Sequence, residues 1–142
     1  MTTDTSTKPA DAQPPGAGVA GEVVRTARPE PGVAVITLDA PATRNSLSRQ
    51  MISALEEAIG GLSADPDVAA IVLAATGPVF SAGHDLKELT RHRADADGGR
   101  AFYAETMQAC AHLMQAIVRS PKPVIAAVEG VATAAGFQLV AT

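Results

Sequence analysis

The sequence predicts an α/β fold, and three observations carry that prediction. Strand-like and helix-like segments alternate along the chain after about residue 21. Residues 68–74 form one continuous apolar run, the pattern of a strand buried within a helix-covered sheet. Runs of small residues close two of the strand-like segments, where α/β sheets build their binding sites. With 142 residues and 46% apolar content the chain is sized for one domain with a single core. Aromatic residues make up only 3%, so the core is expected to pack from small side chains.

The opening segment stands apart. Residues 1–21 are rich in Thr, Pro, Gly and Ala, and no large aliphatic side chain falls between Met1 and Val19. Such a stretch buries too little apolar surface to offset its ordering entropy, and reads as a disordered tail ahead of a domain over residues 22–142. It has neither the apolar core of a signal peptide nor the Arg-rich character of a transit peptide, which predicts a cytoplasmic protein. Gly16, Gly18 and Gly21 match a dinucleotide fingerprint in spacing. That fingerprint works between a strand and a helix, whereas this stretch follows a Pro-rich tail, so it reads as a linker.

Residues 22–26 and 33–38 are β-branched runs that form a hairpin, with Pro29, Pro31 and Gly32 in a loose connection. Ser48 caps a helix in which Met51, Ile52, Leu55, Ile59 and Leu62 share one stripe, ended by Gly60 and Gly61. A turn at Asp65, Pro66 and Asp67 leads into the apolar strand. Residues 85–93 start a short helix, and 94–100 form a polar connection. Over 101–119 Phe102, Met107, Cys110, Leu113, Met114, Ile117 and Val118 recur at helical spacing, and Pro121 and Pro123 stop the helix. Residues 124–128 form another buried strand, 130–135 a small-residue turn, and Gly136 opens a last helix.

Composition excludes several classes of function. A net charge of −4 with no Lys/Arg-rich run argues against nucleic acid as a partner. No apolar stretch approaches the roughly 18 residues of a spanning helix, so no membrane partner is expected. The lone Cys110 rules out an internal disulfide and reads as core, and Asp95 and Asp97 read as solvated loop acids, so no metal is expected. Glu105 and His112 lie seven apart on one helix face and read as a solvated polar face. His92, between Arg91 and Arg93, reads as a surface helix end.

The two small-residue loops remain: Ser81-Ala82-Gly83-His84, and residues 130–136. Two backbone N–H groups from separate loops can converge on one oxygen and stabilise charge that develops on it. Small residues also serve close helix–strand packing, and spacing alone leaves both readings open.

Here a resemblance becomes specific. Residues 80–89, Phe-Ser-Ala-Gly-His-Asp-Leu-Lys-Glu-Leu, resemble the first oxyanion segment of the crotonase (enoyl-CoA hydratase/isomerase) superfamily. Pro121, Pro123, Val124 to Val128 and Gly130, followed by Ala134-Ala135-Gly136, resemble its second. Asn45-Ser46-Leu47 resembles the family's turn before the first helix. In the family's order, these segments cover about residues 22–142.

The resemblance implies the N-terminal part of a spiral of repeated ββα units, as in ClpP-like folds. It implies an acyl-CoA thioester as substrate, with coenzyme A part of that substrate and no separate cofactor, in lipid and fatty-acid metabolism. The N–H groups of His84 and Ala135 would form the oxyanion hole, and Arg44, Ala82, Asp85 and Leu86 match the region that holds coenzyme A. Full-length members assemble as trimers or hexamers, and the subgroup of nearest wording implies a mitochondrial alternative for location. Two departures count against simple hydration. Gln138 stands where hydratases carry their first glutamate, and an amide cannot take up a proton near neutral pH. The second glutamate would fall beyond Thr142. The expectation is an enzyme of hydratase/isomerase type that does something other than plain hydration, or a non-catalytic acyl-CoA binder, or an inactive fragment. Family members are longer, and the chain stops about two turns into a helix, so a fragment is expected.

Overall fold

A computed structural model describes residues 22–142; the tail with its glycine pattern lies outside the described residues. Strands β1 (Val24–Glu30) and β2 (Gly32–Leu38) form the expected hairpin, in antiparallel register from Val24 opposite Leu38. Both strands run longer than expected, to a tight turn in which Gly32 takes φ +78°. Pro29 is tolerated inside β1 because β1 is the edge of the sheet and the register breaks between Ala27 and Glu30.

Helix α1 (Arg49–Ala64) starts as its sequence dictates, with Ser48 Oγ accepting the Met51 N–H at 3.1 Å. The five residues of its apolar stripe are all buried. It does not stop at Gly60 and Gly61, which lie exposed on its outer face. Leu62 in the next turn is buried, and the Lys122 ammonium donates to the Leu62 carbonyl at 2.9 Å and to that of Asp65. A cation on the terminal carbonyls supports a helix end that glycine alone would weaken.

Strand β3 (Val68–Ala75) lies parallel to β2, and β5 (Val124–Ala126) parallel to β3, giving the order β1-β2-β3-β5. Along β3, Val68, Ile71 and Leu73 are buried while Ala70, Val72 and Ala74 are half-buried, so one face carries the core. The second expected buried strand is corrected more sharply. β5 ends at Ala126, and Ile125 and Val128 are exposed, because β5 has no neighbour on its outer edge among the described residues.

A second sheet pairs β4 (Val79–Ser81) with β6 (Val131–Ala132) in parallel. Short α2 (Leu86–Arg91) and long α3 (Arg100–Val118) follow β4, and α4 (Ala135–Ala141) follows β6. Thr106, Cys110, Leu113 and Ile117 form the buried stripe of α3, Met107 and Met114 flank it half-buried, and Val118 at the helix end is exposed. The core is not built of small side chains. Phe80, Ile36, Leu38, Leu47, Met51, Ile52, Leu55, Ile59, Ile71, Leu73, Leu113 and Leu139 are its largest fully buried members. Small residues, Ala82, Gly83, Ala134, Ala135 and Gly136, line the place where the two loops cross.

Candidate functional site

The crossing of the two small-residue loops is built from Asn45 outward. Asn45 is fully buried with φ +50°, a left-handed conformation that asparagine tolerates better than most residues. Its Oδ1 accepts the Ala40 N–H at 2.8 Å, and its Nδ2 donates to the Thr76 and Val79 carbonyls, both at 2.8 Å. Its own carbonyl accepts Ser81 Oγ at 2.8 Å. This buried amide therefore clamps the turn before α1 onto the strand that carries the first loop. Ala82 N donates to the Arg44 carbonyl at 3.0 Å and completes the seam.

At the end of that seam Leu47 N donates to Gly83 O at 2.8 Å, and Asp85 N donates to Leu47 O at 3.4 Å. The two bonds straddle His84, so the His84 N–H faces away from Leu47, and it has no backbone acceptor among the described residues. On the second loop Ala134 holds φ +49° and ψ −125°, a strained conformation for a residue with a side chain, costing about 1–3 kcal/mol. The strain turns the chain into α4. In that first turn Gly136 N donates to Thr133 O at 2.8 Å, Phe137 N to Ala134 O at 3.0 Å and Gln138 N to Ala134 O at 3.1 Å. The Ala135 N–H has no backbone acceptor among the described residues.

Two glycines let the loops meet. A Cβ on Gly83, at φ +86°, would stand 3.0 Å from Ala134 Cβ and 3.2 Å from Ala135 N. One on Gly136 would stand 2.4 Å from the Ser81 carbonyl oxygen. The structure thus brings Gly83, and with it the chain at His84, against Ala134 and Ala135.

Burial pushes the His84 imidazole below its ordinary range, and its Nε2 is shielded from water without a hydrogen-bond partner among the described residues. The ring is neutral at pH 7. Asp85 caps α2, accepting from Lys87 N at 2.9 Å and Glu88 N at 3.0 Å, and its other oxygen accepts Ser46 Oγ at 3.3 Å. Glu88 reaches back to accept the Arg49 N–H at 2.9 Å, which ties α2 to the start of α1. Arg44 is exposed in a left-handed turn, Leu86 is 72% exposed, Ala82 is half-buried, and Gln138 is exposed on α4.

The remaining polar residues fall where the sequence put them. His92 stacks on Phe102, centroids 3.5 Å apart, and its Nδ1 meets Asp95 Oδ2 at 2.7 Å, so it clasps a helix end. Asp97 accepts from Gly99 N and Ala101 N, and those bonds hold its carboxyl below the usual carboxylate range. Glu105 and His112 are exposed on α3, and burial pushes the Cys110 thiol up. Sequence reasoning marked the Asn45 turn but missed the buried clamp, and missed the pairing of β4 with β6 that sets the two loops side by side.

A mixed sheet grown by parallel crossovers, with a second small sheet presenting two crossing loops, defines an α/β protein of the crotonase fold. Among solved structures, human enoyl-CoA hydratase domain-containing protein 3 matches with TM-score 0.76 at 43% identity, over 84% of this chain and 45% of that one. An enoyl-CoA hydratase from Mycobacterium smegmatis matches with TM-score 0.76 at 48% identity, over 84% and 45%. The mouse mitochondrial enoyl-CoA hydratase domain-containing protein 3 is 43% identical over 133 residues, covering 91% of this chain and 43% of the mouse protein. The enoyl-CoA hydratase/isomerase family model matches residues 28–142, and the chain belongs to that family. It spans less than half the length of these relatives.

Proposed function

We propose that this chain binds an acyl-CoA thioester at the crossing of the two loops, with the His84 and Ala135 N–H groups directed at the thioester carbonyl. The observation that carries the reading is the crossing itself: two backbone donors without backbone acceptors among the described residues, on loops that Gly83 and Gly136 hold in contact. An enolate or oxyanion carries its full charge only along the reaction, so fixed donors favour that state over the bound thioester. The donors are main-chain groups held by buried bonds, and they need little reorganisation as the charge forms.

Arg44, Ala82, Asp85 and Leu86 are the proposed contacts for coenzyme A. Arg44 is the one that offers charge to a phosphate. Asp85 acts through its place in the loop, because its carboxylate is committed to capping α2.

Gln138 favours a second reading, an acyl-CoA binder without hydratase chemistry. An amide orients a water but does not accept its proton. The location proposed with this function is mitochondrial, as in the name of the mouse relative, in place of the cytoplasmic expectation. Two measurements test the proposal on the purified chain. Octanoyl-CoA is expected to raise the melting temperature, and an unchanged melting temperature at saturating ligand overturns acyl-CoA binding. Crotonyl-CoA hydration is expected to be weak in the native chain and to increase in Gln138→Glu. Robust turnover by the native chain would remove the role assigned to Gln138.

A further inference from the structure

The face of α2 that follows the first loop opens on a cavity of about 480 Å³, in the size range of small-molecule sites. Leu86, Leu89, Thr90 and Arg93 line it from the α2 side, and Arg100 and Tyr103 from the first turn of α3. The spacing i, i+3, i+4 puts Leu86, Leu89 and Thr90 on one stripe of α2, and Arg93 extends the lining from the 3-10 turn His92–Ala94. The lining is graded: leucine stands at the end two residues from His84, and arginine at the far end. Leu86 is 72% and Tyr103 56% exposed, so both present large side chains to solvent beside this cavity.

The charges are one-sided. The chain is acidic overall at −4, yet Arg93 and Arg100 are the only charged residues lining this cavity. The acids of the adjoining loop are already committed, Asp95 to His92 and Asp97 to the N–H groups of Gly99 and Ala101. Neither guanidinium forms an ion pair among the described residues. Two unpaired guanidinium groups at the end of an apolar stripe suit a flexible apolar chain that ends in a carboxylate.

We infer that the substrate is a dicarboxylic acyl-CoA: its chain passes from the thioester along Leu89 and Tyr103, and its distal carboxylate is held by Arg93 and Arg100. From Leu86 to Arg93 the polypeptide advances about 11 Å through α2 and the 3-10 turn that follows it, the reach of an acyl chain of about eight carbons. The inference rests on the acyl-CoA reading above and adds the class of acyl group.

Titration calorimetry on the whole chain with octanoyl-CoA and suberyl-CoA tests it, since the two ligands match in length and share the coenzyme A phosphates. Suberyl-CoA is expected to bind about tenfold more tightly, and Arg93→Gln and Arg100→Gln are each expected to erode that advantage while leaving octanoyl-CoA affinity unchanged. Equal affinity for the two ligands overturns the inference while leaving thioester binding intact. Equal weakening of both ligands in the arginine variants also overturns it, because the arginines then meet the shared phosphates. Binding of neither ligand overturns the acyl-CoA reading itself.

Discussion

Asn45 shows how much of the site depends on one side chain that need not touch a ligand. Its amide spends three hydrogen bonds on backbone groups of residues 40, 76 and 79 while fully buried. Replacing it with alanine leaves a buried N–H and two carbonyls without that partner, and each such loss costs about 1–3 kcal/mol. The same change removes a residue suited to φ +50°. Asn45→Ala is therefore expected to destabilise the fold by about 3 kcal/mol or more, read as a fall in the urea midpoint at unchanged slope. A loss below about 1 kcal/mol would mean that water replaces the amide at those three groups. The sequence identified the turn by its wording, but a list of residues does not reveal which atoms a buried amide will reach across more than thirty positions.

The α4 helix docks on β4 through the absence of a side chain. A methyl group at Gly136 would fall 2.4 Å from the Ser81 carbonyl oxygen, a backbone atom that cannot rotate away. Gly136→Ala is expected to push α4 outward, to cost about 1–3 kcal/mol by overpacking, and to abolish the protection that octanoyl-CoA gives in melting experiments. Retained protection would place the thioester site elsewhere. Elements of this length also mark the limit of legibility. The stripe of α1 and the apolar run of β3 were readable, because sixteen and eight residues repeat a pattern long enough to set a period. Strands of three and two residues, β4 and β6, repeat nothing. Their pairing follows from tertiary closure, and with it the meeting of the two loops. The end of α1 was misread for a related reason, since its cap comes from Lys122, 60 residues after Leu62.

Across the whole molecule, large aliphatic residues make the core, where composition suggested small ones, while small residues make the crossing, as the two loop sequences indicated. That arrangement leaves His84 as a titratable ring partly buried in the crossing, and its burial ties stability to pH. Its folded-state pKa lies below the ordinary 6.5, so folding disfavours the protonated ring. The contribution is complete above pH 6.5 and is lost as pH falls through the folded-state value. Asp97 and Asp65 are also held low, so they act below their ordinary 3.8, and burial places any Cys110 contribution above its ordinary 9.0. The interval from pH 7.5 to 5.0 therefore lies clear of those three groups. Within it the urea midpoint of the native chain is expected to fall with pH, and that of His84→Gln, which keeps the backbone N–H, to fall less. Parallel curves for the two proteins would show that the ring gains a proton as readily folded as unfolded. The crossing would then be open enough for water to reach Nε2.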